Sequence, residues 1–109
     1  TQHATTDSLA ITGPGYHDFD LQVAATATSV KLWVRWDATY AGTKPSISVR
    51  NGGQCGVVAA TTTATGTATN WEQLTLTFTP TATGIVTIRL TSSDTNGAGV
   101  TLFGDRTVA

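Results

Sequence analysis

A strand-like stretch in the first third of the chain places a tryptophan between two cations. In V-K-L-W-V-R-W, from Val30 to Trp36, hydrophobic side chains alternate with Lys31, Trp33 and Arg35. Because successive side chains of a strand point to opposite faces, these three residues share the face opposite the apolar one. An indole can stack on the C–H face of a sugar while neighbouring cations bond its hydroxyls. The pattern therefore predicts a face that binds a glycan, packs under a loop or neighbouring strand, or meets another protein.

Two tyrosines and two arginines extend this candidate binding set. The remaining aromatic residues lie in apolar alternations or open a strand, which favours packing in the core for Phe19, Trp36, Trp71, Phe78 and Phe103. The tyrosines lack such a context and are candidates for stacking, and the arginines for bonding hydroxyl groups. The additional candidates are Tyr16, Tyr40, Arg50 and Arg89.

The residues that could catalyse a reaction form no recognisable set. Acid–base catalysis needs two titratable groups held near one substrate, and the spacing of the seven acidic residues and two histidines does not indicate such a pair. Serine elbows, phosphate-binding loops and zinc-ligand pairs are missing from the sequence. His17 and Asp18 are adjacent in a predicted strand and therefore face opposite sides. The sequence predicts a protein that is not an enzyme.

Composition narrows the class of protein further. The 109 residues fit a single domain, with residues 1–7 as a flexible or docking arm. A net charge of -1 and dispersed cations argue against nucleic-acid binding, and no apolar run has the length of a membrane span. Roughly a fifth of the residues are threonine, which fits pleated sheets better than helices. High threonine content and low charge favour an extracellular or particle-surface protein.

The hydrophobic pattern has the period of strands throughout. It predicts an all-β, antiparallel two-sheet sandwich of the jelly-roll type with eight or nine strands. The predicted strands are Ser8–Thr12, His17–Val23, Ser29–Asp37, Pro45–Asn51, Gly56–Thr61, Trp71–Thr79, Gly84–Ser92, Val100–Phe103 and a short one at Thr107–Val108.

Two connections carry further expectations. The Pro80–Gly84 segment has hairpin length, so the strands on either side should be antiparallel neighbours. The threonine-rich segment Thr61–Asn70 has no large apolar residue and is predicted to be a solvated loop. Threonines at positions 75, 77 and 79 form a flat polar row, for which ice binding is a less favoured alternative to the wet face of a sheet.

Three stretches of the sequence are similar to a known family. The run N-W-E-Q-L-T-L-T-F-T-P-T-A-T-G-I-V-T-I-R-L and the later G-V-T-L-F-G-D-R-T-V resemble the carboxy-terminal half of carbohydrate-binding-module-like jelly rolls of the galactose-binding-domain type. The middle stretch A-T-Y-A-G-T-K-P-S-I-S-V-R-N resembles versions found in tail, fibre and other virion-associated proteins of bacteriophages. The resemblance covers roughly residues 16–109.

The resemblance implies roles for two residues. Trp71 matches the tryptophan that opens a strand in this family, and Asp105 matches the second of two acidic residues in the final strand. These acids often help to hold a structural calcium in relatives, but Gly104 occupies the first position here, which weakens the expectation of calcium. No other cofactor is expected.

Together these observations predict a non-catalytic adhesion module on a virion or extracellular surface that recognises a glycan, such as a cell-surface polysaccharide. The alternative is a structural or capsid and tail decoration domain whose face packs against neighbouring protein subunits. Both readings favour display in many copies or within a larger polypeptide.

Overall fold

The computed structural model describes residues 9–51, 57–81 and 83–108, the last four of them by their backbone alone. In these ranges the chain forms eight strands and no helix, which confirms the predicted all-β class. The strands are β1 (Leu9–Thr12), β2 (Gly15–Val23), β3 (Thr28–Trp36), β4 (Ser46–Asn51), β5 (Val57–Thr63), β6 (Glu72–Phe78), β7 (Gly84–Ser92) and β8 (Val100–Val108). The described residues thus include no helix that could cross a membrane.

The strands form two four-stranded antiparallel sheets that pack face to face. Sheet I has the order β1-β8-β3-β6, and sheet II has the order β2-β7-β4-β5. The chain changes sheet at each connection except that between β4 and β5. Two sheets of four strands with this alternation have the architecture of a jelly roll. The predicted sandwich is therefore confirmed.

One apolar core lies between the sheets. Alternate side chains of each central strand point inward, and removing each large aliphatic side chain from water contributes about 1.5–3 kcal/mol. The predicted inner residues are buried: Val30, Leu32, Val34, Trp36, Ile47, Val49, Leu74, Leu76, Phe78, Val86, Ile88, Leu90 and Phe103. Phe19 is partly buried and packs against this core.

The predicted hairpin between β6 and β7 is wrong. β6 pairs with β3 in sheet I, whereas β7 lies between β2 and β4 in sheet II. The connection between β6 and β7 therefore joins two sheets that pack about 10 Å apart, instead of joining neighbouring strands about 4.8 Å apart. A connection of this length can do either, so loop length alone does not determine the pairing.

The threonine-rich segment, predicted to be a solvated loop, begins as a strand and continues as a hydrogen-bonded connection. Its first residues, 61–63, belong to β5, and the next residue, Ala64, is buried. The Glu72 carboxylate accepts hydrogen bonds from the backbone N–H groups of Thr65, at 3.1 and 3.2 Å, and of Gly66, at 2.7 Å. Lys44 Nζ donates to the Gly66 carbonyl at 2.7 Å. These charged side chains fix the connection between β5 and β6.

Other predicted boundaries differ in smaller ways. The short ninth strand at Thr107–Val108 is the end of β8, which runs without interruption from Val100. The predicted starts at Ser8 and Gly56, together with the arm at residues 1–7, lie outside the described residues.

Candidate functional site

The predicted site residues lie on three separate surfaces. Register and strand order place them as follows: Lys31, Trp33 and Arg35 on the outer face of sheet I, Tyr16, Arg50 and Arg89 on the outer face of sheet II, and Tyr40 in the connection between β3 and β4. The outer faces of a sandwich point in opposite directions. These residues therefore cannot form one site, and each surface has its own chemistry.

The tryptophan face is the outer face of sheet I, carrying Lys31, Trp33 and Arg35 with their β6 neighbours Gln73 and Thr75. Trp33 lies opposite Gln73 on one side and Gly104 on the other, and its side chain is half-buried. Arg35 Nε donates to the Thr69 carbonyl at 2.8 Å and so anchors the connection between β5 and β6.

Tyr40 has a structural place in the fold. Its hydroxyl donates to the Thr43 carbonyl at 2.6 Å and accepts from the Ser93 N–H at 2.8 Å. Its ring lies 6.4 Å from that of Trp36, tilted by 54°. The hydroxyl thus joins the β3–β4 and β7–β8 connections and already uses both its donor and its acceptor capacity there.

The tyrosine face is the outer face of sheet II. Antiparallel register aligns side chains of three strands on it, and these residues define it: Tyr16, Asp18 and Asp20 of β2, Thr87 and Arg89 of β7, and Ser48 and Arg50 of β4. Asp18, Arg89 and Ser48 form one row across the sheet. The next row contains Asp20, Thr87 and Arg50.

An exposed aromatic ring stands at one end of the tyrosine face. Tyr16 is 58% exposed, and Arg89 Cζ lies 4.0 Å from the centre of its ring, within the range of a cation–π interaction. Arg89 also binds Asp18 through two hydrogen bonds, from Nε to Oδ1 at 2.8 Å and from Nη2 to Oδ2 at 2.9 Å. Tyr16, Asp18 and Arg89 therefore form a connected cluster on the surface.

The middle of the tyrosine face is a polar floor formed by Thr87 and Ser48. Thr87 is fully buried and Ser48 is 9% exposed, although the register points both away from the core. Thr87 Oγ1 donates to Asp20 Oδ1 at 2.8 Å, and the Asp20 side chain is exposed. The accessible groups of the face are thus the Asp20 carboxylate, which can accept hydrogen bonds, and the Tyr16 ring, which offers a stacking surface.

Sequence reasoning missed Asp94, a buried carboxylate that accepts hydrogen bonds from four different residues. Asp94 is 1% exposed, and its two oxygens accept backbone N–H groups. Oδ1 accepts from Ala41 at 2.9 Å and Asn96 at 3.0 Å, and Oδ2 accepts from Gly97 at 3.0 Å and Gly99 at 2.8 Å. These donors, the Ala41 amide foremost, hold the pKa of Asp94 below its usual range. Asp94 joins two connections and is structural.

The described residues hold no cluster of acidic, histidine or cysteine side chains that could bind a metal ion. No three His, Cys, Asp or Glu side chains come together within ranges 9–51, 57–81 and 83–104. The side chain of Asp105, the residue that the resemblance connects with calcium, lies outside the described part of the molecule. Asp94 could not serve instead, because its oxygens already accept four N–H groups.

Comparison with known proteins finds likeness in structure. No family model matches the sequence, and no curated protein matches it. One solved structure, described as "CBM4 structure and function", is 16% identical and has a TM-score of 0.71 over 100% of this chain and 75% of its own. A second, "Family 16 Carbohydrate Binding Module-2", is 18% identical, with a TM-score of 0.66 over 97% of this chain and 78% of its own. A third, "EclA C-terminal domain; sugar-binding protein", is 13% identical, with a TM-score of 0.64 over 97% and 79%. At these identities, the likeness establishes that the chain has the fold of these proteins.

Proposed function

We propose that this chain is a non-catalytic carbohydrate-binding module and that the tyrosine face is its binding surface. The observation that carries the proposal is the exposed Tyr16 ring, 4.0 Å from Arg89, at the edge of a polar floor. A sugar presents both apolar C–H groups and hydroxyls, so it needs a stacking ring and hydrogen-bonding groups side by side. The tyrosine face has both.

Tyr16 is a better platform than Trp33 for a geometric reason. Stacking requires that one face of the ring be accessible to the ligand. The Tyr16 side chain is exposed, whereas Trp33 is half-buried within its sheet face. A glycan that extends along the face from Tyr16 would also reach the exposed Asp20 carboxylate, which accepts hydrogen bonds from its hydroxyls.

The charges of the tyrosine face favour an uncharged glycan. Its carboxylates, Asp18 and Asp20, balance its guanidinium groups, Arg50 and Arg89. Arg89 directs its Nε and Nη2 N–H groups to Asp18, so its positive charge is already paired with a carboxylate. An acidic polysaccharide would also be repelled by the exposed Asp20.

The fold of the three similar structures supports this proposal, because these structures are described as carbohydrate-binding modules and a sugar-binding protein. We place the module at an extracellular or virion surface, as part of a larger polypeptide or in several copies. One shallow site binds weakly, and display in several copies raises the avidity by mass action.

A second candidate function concerns the tryptophan face. Its described cations, Lys31 and Arg35, flank a half-buried indole, an arrangement that also occurs where protein subunits pack together. In that role the chain would be a structural or decoration domain, with Trp33 inserted at a contact with a neighbouring subunit.

A polysaccharide panel tests the proposed function. The purified chain is applied to neutral polysaccharides and to uronate-containing or sulfated ones, at low and at high sodium chloride. We expect binding to at least one neutral polysaccharide, with a Kd that changes by less than about twofold with salt because the face carries no net charge. Binding confined to acidic polysaccharides, and lost at high salt, would contradict the tyrosine face as the site. A folded chain that binds none of them would contradict the carbohydrate-binding function.

A further inference from the structure

We propose that Asp18 and Arg89 are positioning residues that hold the Tyr16 ring in its binding orientation. The inference rests on the proposed function, since it assigns the cause of affinity at the same face. In this cluster Tyr16 contacts the sugar, and Asp18 and Arg89 determine the orientation of its ring.

The register of β2 and β7 places Arg89 beside Tyr16. Arg89 lies directly opposite Asp18, and Tyr16 lies opposite Thr91. Arg89 is therefore the diagonal neighbour of Tyr16, a separation that aromatic and long side chains can bridge. The pairing of these two strands brings together residues that are 71 positions apart in the sequence, Asp18 and Arg89.

Asp18 fixes the orientation of the Arg89 guanidinium group. Two parallel hydrogen bonds to one carboxylate fix the plane of an arginine, which a single bond does not. The Arg89 and Asp18 side chains are only 20% and 11% exposed, so water competes less for this pair than for a pair on the open surface. Asp18 thus orients the guanidinium group independently of its contact with the Tyr16 ring.

The Tyr16 ring packs against this guanidinium group. Arg89 lies against Tyr16 at 4.0 Å, which leaves the rest of a side chain that is 58% exposed available to a ligand. A tyrosine without this support would lose rotamer freedom on binding. Immobilising one such side chain costs a factor of roughly three to ten in Kd. Holding the ring beforehand avoids this loss.

Three substitutions separate the parts of the cluster. Arg89→Met keeps much of the apolar stem but removes the charge and both hydrogen bonds. Arg89→Lys keeps the positive charge and removes the pair of parallel hydrogen bonds to Asp18. Asp18→Asn keeps the size of the side chain and weakens its pair of hydrogen bonds with Arg89. Thr12→Val, an exposed residue of β1 on the other sheet, is the control.

Two measurements are made on each variant, after its fold is confirmed by circular dichroism. Aromatic carbon-13 NMR relaxation reports the order of the Tyr16 ring in the free protein. Titration with the tightest-binding neutral polysaccharide of the panel gives Kd. We expect Arg89→Met and Asp18→Asn to make the ring more mobile and to raise Kd by roughly three- to tenfold, with Arg89→Lys between them and the wild type. Thr12→Val should change neither quantity.

The outcomes separate this proposal from the proposed function. Unchanged ring order in Arg89→Met would overturn the positioning role, whether or not any glycan binds. Increased mobility with unchanged Kd would overturn it as a cause of affinity while leaving the binding function intact. If the wild-type chain binds no polysaccharide, the proposed function fails and the role in glycan binding fails with it. The ring-order measurement then still decides whether the pair orders Tyr16.

Discussion

Replacing Asp94 with asparagine is expected to lower the melting temperature by roughly 10 °C or more. The carboxylate accepts four backbone N–H groups in a nearly inaccessible place. An asparagine offers one acceptor oxygen, and its amide group would direct N–H groups at the N–H groups of Gly97 and Gly99. Buried donors without acceptors destabilise a fold more than the lost bonds alone would.

The same carboxylate predicts how stability depends on pH. The pKa of Asp94 in the folded chain is below the ordinary value of 3.8, so folding favours the charged form. Its stabilising contribution is fully present above that ordinary value and is lost as the pH falls through the lower folded-state pKa. The Thr39 hydroxyl lowers the pKa of Asp37, so this carboxylate also contributes stability that is lost at low pH. Wild type should therefore lose stability below about pH 4 more steeply than Asp94→Asn.

Thermal unfolding of both proteins between pH 7 and pH 2.5 measures these effects. Asp20→Asn, which changes an exposed carboxylate with a bond to Thr87, is the control for general loss of charge. A melting temperature of Asp94→Asn equal to that of the control would contradict the role assigned to Asp94.

A methyl group at Gly99 should destabilise the fold by about 2–3 kcal/mol. An added Cβ would lie 2.7 Å from Tyr40 Cα and 2.9 Å from Asp94 Oδ2. The first of these atoms belongs to the backbone and cannot rotate away, so the β3–β4 connection would have to shift. The shift would also disturb the hydrogen bonds of Asp94, which adds to the cost of the overlap.

Gly97 provides a matched control two residues earlier. Its φ is +88°, but an added Cβ would meet nothing within 4 Å. Gly97→Ala therefore tests backbone strain without steric overlap, at a cost of about 1 kcal/mol. Urea denaturation of both variants gives the two free energies of unfolding. An equal loss in the two variants would show that the close contact at Gly99 has no measurable effect.

Strands were predictable because their signal is local. Alternation with a period of two identified the inner residues of β3, β6 and β7 before any partner strand was known. The pairing of those strands was not predictable, since a five-residue connection fits either a hairpin or a crossing between sheets. The prediction for β6 and β7 failed for this reason.

The candidate site shows the same division. Tyr16 and Arg89 were both selected by residue type, but nothing local indicates that β2 pairs with β7 and brings Asp18 to Arg89. The separation of Trp33 from Tyr16 onto opposite faces also follows from sheet assignment alone. For Asp94, the D-T-N-G stretch favours a turn in which an aspartate bonds a nearby backbone N–H. Its bond to Ala41, 53 residues away, has no such signal.

Calorimetric titration of four proteins tests whether a glycan binds at Tyr16. Wild type, Tyr16→Ala, Tyr16→Phe and Trp33→Ala are titrated with the same neutral polysaccharide after their melting temperatures are compared. We predict that Tyr16→Ala raises Kd by at least about tenfold, because the substitution removes the whole stacking ring. Tyr16→Phe should stay within about threefold of wild type because stacking uses the ring, and Trp33→Ala should leave Kd unchanged. A Kd that is unchanged in Tyr16→Ala and raised tenfold in Trp33→Ala would contradict glycan binding at Tyr16 and move the site to the tryptophan face.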